Sequence, residues 1–566
     1  MLRGQRRTDG AKGLASKLRL HGMPPTQRDY ARRRICEALN QGEDMRNSRT
    51  LVAFATVCLV ASMLVLGGPA RAATAQYVVL IDQSASAAAY GAIAAAGGRV
   101  VSMNAVGVAS VSSSSSTFAS AVMSSPSIDG VALNAGFAQP RAATVQATPD
   151  NTHTQATEAA ACAALFSVPV NSGPDPLAPC QWDMRAIGAT SSGSYSVSKG
   201  KGVRVGVIDT GIDLTHGDLM PNVDLAASCV FLYATTPTSN PAEQVTRGSC
   251  SNKAALQDLA GHGTHTAGTI GAPINGTGTS GVAPEATIVA LKAGTEQGYF
   301  FTDSVVDALM YAGDQKLDVV SMSFFADPWL FNCRNSAEQK AIIQAISRAA
   351  SYAQQRGVLL VAAAGNDNID LNHPTIDEIS PDYPAGAGVT RPVNNSCIVL
   401  PTELPGVVVV TATGAQNLLT WYSTYGKIAD VTAPGGSRFQ TPTFNSSRGR
   451  VLAPYSRTAG DLDLEASINR LVVDPQGNYY AWLNGTSMAA PHAAGVAALI
   501  RAAHPGMSQG AVAATLRRTA TAMPCPTTHD PGVEAFGVPL QICTGGIGSN
   551  SFYGAGLVNA LAAARS

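Results

Sequence analysis

The sequence predicts an α/β fold: a parallel sheet flanked by helices on both faces, preceded by a small α+β unit. Three observations point to it. Apolar, strand-like runs alternate with helix-period segments from residue 203 onward, the pattern of strands joined by helical crossovers. Several of those runs are continuous in Val, Ile, Leu and Ala rather than alternating, as strands buried on both faces require. A separate set of short elements occupies residues 77–137, ahead of a stretch with little periodicity.

In the main part, residues 203–208 are apolar but for one Arg and read as a buried strand that delivers Asp209 at its end. Residues 287–291, 319–322, 358–362 and 407–411 read as further strands, and 302–316 and 337–356 as helices. The Ala-rich run 488–503 has apolar positions at helical spacing. Polar insertions occupy 229–256 and 437–469. In the small unit, 77–81 reads as a strand, 86–96 as an Ala-rich helix, 99–111 as a strand or hairpin, 116–123 as a short helix and 130–133 as a strand. That β-α-β-α-β order is compatible with a ferredoxin-like domain, whose full form has one further strand. Residues 139–180, rich in Ala, Thr, Pro and Asn, read as a linker. Length alone would suggest several domains, but residues 181–566 fit one large domain with loop insertions.

The mostly apolar run 51–67 follows Arg46 and Arg49 and ends in Pro69-Ala70-Arg71-Ala72, an A-x-A-like cleavage signal. Residues 45–72 therefore read as a secretory signal cut after Ala72. The alternative is a retained membrane anchor, since the run approaches spanning length. The Arg-rich residues 1–44 read either as a nucleic-acid arm or, better matched to the short n-region of a signal, as sequence upstream of a true start at Met45. Of ten cysteines, Cys36 and Cys58 precede residue 72. The remaining even set suggests disulfides in an exported chain. Pairing neighbours along the chain gives Cys162–Cys180, Cys229–Cys250, Cys333–Cys397 and Cys525–Cys543, although spacing leaves the connectivity open. With no CxxC spacing, zinc is not expected.

Charged residues make up 13% of the chain and the formal net charge is zero. Nothing basic beyond residue 72 suggests nucleic acid, and neither stable membrane association nor an oligomer is expected of the exported part. Neutral balance offers no electrostatic steering toward acidic or basic substrates, and no acidic pocket is legible.

Three short stretches carry chemistry: VIDTG at 207–211, GHGTH at 261–265 and GTSMAAPH at 485–492. In order they supply a carboxylate, an imidazole and a hydroxyl. A serine hydroxyl is a poor nucleophile until a base takes its proton, histidine titrates near neutrality, and a carboxylate behind the ring fixes its tautomer. Asp209 at a strand end lies where open α/β sheets place their sites, and Ser487 would sit at a helix N-terminus, where free N–H groups favour developing negative charge. Each alone has an ordinary reading: a turn aspartate, a core histidine, an N-cap serine. Together they read as a triad, with His265 and His492 as packing residues.

The motifs DTGID, GHGTHTAG and GTSMAAPH, in this order, resemble those of the subtilisin-like serine proteases (subtilases) over roughly residues 181–564; Asp, His, Ser is the chain order of subtilisin. The resemblance implies a subtilisin-like fold and a serine endopeptidase that cuts extended polypeptides through an acyl-enzyme. It makes Asp209 the orienter, His262 the general base, Ser487 the nucleophile and Asn366, in VAAAGN, the oxyanion donor. Ser323, Phe324, Phe325, Ala364 and Gly365 would bind substrate. The family usually follows this serine with a small residue and glycines; here Phe324-Phe325-Ala326-Asp327-Pro328 follows, and Phe325 is expected to narrow or reshape the pocket. Asp218 and Asn275, with the loop 273–279, match a family calcium site, as a hard cation needs oxygen ligands; no cofactor is required for the chemistry. The segments YVVLI and GRVVSMNAVGVASV resemble inhibitory subtilase propeptides. Residues 73–138 would then be an intramolecular inhibitor and chaperone, removed by autocatalysis within the linker, or else a permanent accessory domain. The class-level alternative, a catalytically idle relative, would lack one of Asp209, His262, Asn366 and Ser487; all four are present.

Overall fold

The computed structural model describes residues 74–135, 153–232, 250–383, 386–462, 465 and 470–566. The leader readings, residues 1–72, the first part of the linker reading, 139–152, and the middle of the 229–256 insertion lie outside them.

The small unit comprises β1 (Ala75–Ile81), α1 (Ser86–Ala95), β2 (Gly98–Met103), β3 (Val108–Ser113), α2 (Phe118–Val122) and β4 (Ile128–Ala135). Residues 99–111, read as a strand or hairpin, form the β2–β3 hairpin, which supplies the fourth strand of a ferredoxin-like order β2-β3-β1-β4. Val79, Ile81, Ile93, Val111 and Phe118 pack between sheet and helices.

The main sheet has seven parallel strands in the order β11-β10-β9-β8-β5-β7-β6. They are β5 (Arg204–Asp209), β6 (Cys229–Val230), β7 (Thr287–Lys292), β8 (Val319–Met322), β9 (Leu359–Ala363), β10 (Val407–Thr413) and β11 (Val431–Pro434). The β10 segment VVVVTAT is buried at every residue: β-branched side chains suit a pleated surface, and covering both faces removes any need for polar alternation. Residues 155–166 form α3 (Gln155–Phe166). It is followed by α4 (His262–Gly271), α5 (Thr302–Asp314), α6 (Ala337–Gln355) and α7 (Thr486–Ala503). Helices α4 and α7 pack on each other against the sheet, and α5 packs on α6. Helix α7 is buried along almost its whole length, so it is largely apolar on all sides and rich in Ala. His492 within it places Nε2 3.0 Å from Asp183 Oδ2 and Nδ1 2.7 Å from the Met488 carbonyl, a packing role.

The small unit lies on α5 and α6. The Asn134 side-chain oxygen accepts the Asp303 N–H at 3.1 Å, one of the free donors of the α5 N-terminus. Glu338 in the first turn of α6 accepts the Leu133 N–H at 3.0 Å, and Arg348 pairs with Asp129 at 2.6 Å.

The linker reading of 139–180 is modified by α3. Its Ala-rich sequence is a good helix former and Thr154 caps it by accepting the Thr157 N–H. Buried Glu158 then accepts from the guanidinium of Arg448 at 3.0 and 2.8 Å and from the Trp482 indole at 2.9 Å. His153–Thr154 adds to a sheet built from β12 (Val451–Tyr455), β13 (Leu471–Val473) and β14 (Tyr479–Leu483). These anchors come from far along the chain, so no local pattern announces them; the same sheet gives structure to the segment read as a polar insertion at 437–469. All four expected disulfides are present: Cys162–Cys180, Cys229–Cys250, Cys333–Cys397 and Cys525–Cys543.

Candidate active site

Three adjacent strands, β9, β8 and β5, end at one edge of the sheet and deliver Asn366, Ser323 and Asp209 there. Helix α4 brings His262 to Asp209 because two glycines let the backbones touch: a Cβ on Gly263 would lie 2.3 Å from the Gly211 carbonyl oxygen. Asp209, 1% exposed, accepts from His262 Nδ1 at 2.8 Å and from the Thr210 N–H at 2.8 Å through Oδ1, and from the Thr266 hydroxyl at 3.2 Å through Oδ2. Burial pulls the His262 pKa down, but the Asp209 charge and hydrogen bond outweigh it and hold the ring above the ordinary 6.5. The side chain is still 30% exposed, so a reactant can reach it. His265, one turn on, is buried against the carbonyls of Val451 and Ala481; burial pushes its pKa down to about 3, which keeps it a neutral packing residue.

Ser487 is the second residue of α7. Pro491, four residues on, has no N–H to give its carbonyl. The Ser323 hydroxyl donates to that carbonyl instead, at 2.9 Å, and the Ser487 hydroxyl donates to the Ser323 carbonyl at 3.2 Å. This reciprocal pair ties the head of α7 to the end of β8. His262 and Ser487 line the same cleft, of about 590 Å³, and the serine hydroxyl is directed to the Ser323 carbonyl; catalytic hydrogen bonds often tighten only when substrate is bound.

The orientation of Asn366 follows from its partners. Its Oδ1 accepts the Thr486 N–H at 2.8 Å and the Thr486 hydroxyl at 2.9 Å. That hydroxyl oxygen in turn accepts the Gly365 N–H at 3.1 Å. A backbone N–H cannot accept, so the amide cannot be flipped, and the exposed Nδ2 is left to donate into the cleft.

Ser323, Phe324, Phe325 and Gly365 also line the cleft. Ala364 does not: it is 1% exposed and donates to the Val410 carbonyl at 3.0 Å, while its neighbour Ala363 faces the cleft, as alternation along an extended segment demands. Phe324 stacks on Phe300, centroids 4.2 Å apart and 6° from parallel; Phe325 packs with Leu330 and Phe331 at the wall. The expectation that no acidic pocket exists is overturned: Glu296, Asp327, Asp367, Asp382 and Asp461 line the cleft. Whole-chain neutrality averages over positions that folding brings together.

Asp218 and Asn275 lie elsewhere, beside the loop 273–279. Asp218 is buried; its Oδ2 accepts the Thr279 N–H at 2.9 Å, and its Oδ1 accepts no hydrogen bond among the described residues. The Asn275 side-chain oxygen accepts the Thr277 N–H at 2.9 Å. Nearby Asp175 accepts the N–H groups of Asn275 and Gly276 at 3.2 and 2.7 Å.

Two positioning residues escaped the sequence reading. One is Thr486. The other is Asp258, buried, whose Oδ1 accepts the Gly261 N–H at 2.9 Å and the Thr210 hydroxyl at 2.9 Å, while Oδ2 accepts the Thr264 N–H at 2.8 Å. It caps α4 and ties it to the end of β5. An aspartate shortly before the helix start was the available signal.

A doubly wound α/β sheet with a hydroxyl at a helix head, an imidazole paired to a buried carboxylate and an amide donor at one strand edge defines a class of serine hydrolases. The Subtilase family model matches residues 200–556. The chain belongs to the subtilase family and is a subtilisin-like serine endopeptidase acting on polypeptides. It is similar to Subtilisin Savinase of Lederbergia lenta, 30% identical over 384 residues that cover 68% of this chain and 98% of that one. M-protease of Shouchella clausii is likewise 30% identical over 384 residues, with coverage of 68% and 70%. The epidermin leader peptide processing serine protease of Staphylococcus aureus superposes with a TM-score of 0.59, at 20% identity over 87% of this chain and 98% of that one. Fervidolysin of Fervidobacterium pennivorans gives 0.56, at 21% identity over 88% and 62%. These two likenesses are of fold.

Proposed function

We infer that the chain is a secreted endopeptidase, made as a zymogen, in which Ser487 attacks the scissile carbonyl. His262 takes the serine proton and returns it to the leaving amine, and Asp209 holds the ring tautomer and balances the imidazolium. The Asn366 Nδ2 and the Ser487 N–H at the helix head donate to the developing oxyanion. The observation that carries this reading is the Asp209–His262 hydrogen bond of 2.8 Å in a cleft that also holds Ser487 and the outward-facing Asn366 amide. A fluorophosphonate probe is expected to modify Ser487, seen by peptide mass spectrometry, in step with loss of casein hydrolysis; labelling elsewhere, or hydrolysis that survives full labelling, would overturn it.

Asn366→Ala is expected to lower kcat by about 10²–10³ with little change in KM, a magnitude known from the equivalent donor of subtilisin. A fall confined to KM would reassign Asn366 to ground-state binding.

Residues 73–138 act on this reading as chaperone and temporary inhibitor. Their packing on α5 and α6 supports it, as do four disulfides for an oxidising, extracellular destination. The signal peptide, 45–72, would direct export, and the product would be a monomer without a cofactor in its chemistry. The segment from His153, held by α3, Glu158 and Cys162–Cys180, stays with the catalytic part after processing.

Calcium fits as a structural ion. The buried Asp218 Oδ1, which accepts no hydrogen bond among the described residues, suits a cation, and Asp218 with carbonyls and Asn275 of the loop would supply hard oxygen ligands. The ion would brace the loop and take no part in catalysis. Chelation is expected to shorten the half-life to thermal inactivation, in line with about 3–4 kcal/mol from a site loaded at 100–1,000 times its Kd; an unchanged half-life would reject it.

A further inference from the structure

We propose that the cleft is built to take a basic side chain: a lysine or arginine of the polypeptide, within the few residues flanking the bond to be cut, is held by Asp327 and Asp382. The inference rests on the endopeptidase reading and names the substrate class it prefers. The cleft is lined by five acidic residues and, among the described residues, by no Lys or Arg. Two of the acids form a built site.

Asp327 is 2% exposed. It is locked in place by the Phe300 backbone, whose N–H donates to its carboxylate and whose carbonyl accepts the Asp327 N–H at 2.9 Å. The Asp382 N–H donates to the Pro328 carbonyl at 3.1 Å, which holds this second acid against the same segment. The two carboxyl groups lie within hydrogen-bonding reach of each other; Asp382 is half-buried, and its Oδ1, itself buried, accepts no hydrogen bond among the described residues. Burial first, then the neighbouring acid, pushes Asp327 well above the usual carboxylate range. The Phe300 N–H offsets only part of the cost of holding two acids together there, and such a pair without a resident cation is a weak structural device. It is a good receptor for an ammonium or guanidinium, which supplies charge and several donors at once.

The walls suit the rest of such a side chain. Phe300 and Phe324 stack at 4.2 Å beside the acids, giving aromatic faces on which an alkyl stem or a guanidinium plane can lie. The Phe324-Phe325-Ala326-Asp327 segment thus departs from the family pattern in two linked ways: it adds rings at the wall and a carboxyl behind them.

The test uses the processed enzyme and internally quenched peptides that differ at one position, scanned four residues either side of the scissile bond. Arginine is compared with neutral citrulline, and lysine with norleucine. At one position the charged residue is expected to win by about 10–100-fold in kcat/KM, the worth of a hydrogen bond to a charged group. Asp382→Asn and Asp327→Asn are each expected to cut that ratio below about threefold; because each ratio compares two peptides on one enzyme sample, partial misfolding cancels. No discriminating position, preference for the neutral residue, or a ratio that survives both substitutions would overturn the proposal. If the fluorophosphonate fails to label Ser487 in the same preparation, it is the endopeptidase reading that has failed, and this inference with it.

Discussion

Ser487→Ala is expected to abolish casein hydrolysis, with kcat falling by about 10⁶, and to leave the precursor uncut ahead of His153. The magnitude is that found on removing the nucleophile of subtilisin itself. Two features make the result a test of chemistry rather than folding. The hydrogen bond from the Ser323 hydroxyl goes to the backbone carbonyl of residue 487, at 2.9 Å, and survives the substitution. The bond lost, from the Ser487 hydroxyl to the Ser323 carbonyl at 3.2 Å, is worth about 1 kcal/mol, so thermal unfolding should shift little. Processing and casein hydrolysis by the variant, prepared free of other proteases, would refute the proposed mechanism. Because the small unit would remain attached, the same variant would provide the proposed precursor for direct study.

Asp209→Asn is expected to lower kcat by about 10⁴ with the fold retained, the order found on removing the equivalent carboxylate of subtilisin. The Thr210 N–H pins the side-chain oxygen it meets at 2.8 Å, so the amide oxygen stays there and its NH₂ turns toward the rotatable hydroxyl of Thr266. What disappears is the charge. In the native protein, burial lowers the His262 pKa and Asp209 raises it by more. Activity needs the neutral ring, so kcat/KM should rise as pH passes through a value above 6.5. Without the Asp209 charge, burial is opposed mainly by the smaller effect of Asp258 and the His262 titration moves to lower pH. Proton NMR of the ring, or the acid limb of residual activity, measures the shift. An unmoved titration would mean that Asp209 does not set the base.

The strands and helices of the sheet were legible because each is long and strongly patterned. The apolar run ending at Asp209 and the Val-rich β10 declare themselves without help from distant residues. The same holds for the small unit, where only the choice between strand and hairpin at 99–111 needed coordinates. Helix α3 was not legible, because what fixes it is Glu158 reaching Arg448 and Trp482, 290 and 324 residues away. Thr486 and Asp258 were missed for a related reason: a threonine or aspartate near a helix start is common, and only its partners reveal whether it orients a working group.

While the connectivity of the eight cysteines waited for the structure, the sequence by itself determined the order of the chemical groups and the parallel sheet that carries them. These are local or nearest-neighbour properties, written in spacing and periodicity. The tertiary structure alone decided which way the Asn366 amide faces, that Ser323 replaces the N–H missing at Pro491, that Ala363 rather than Ala364 lines the cleft, and that a chain of zero net charge gathers five acids around its cleft. Hydrogen-bond direction and local charge depend on which residues become neighbours in space, and residues such as Asp327 and Asp382 become so only when the chain has folded.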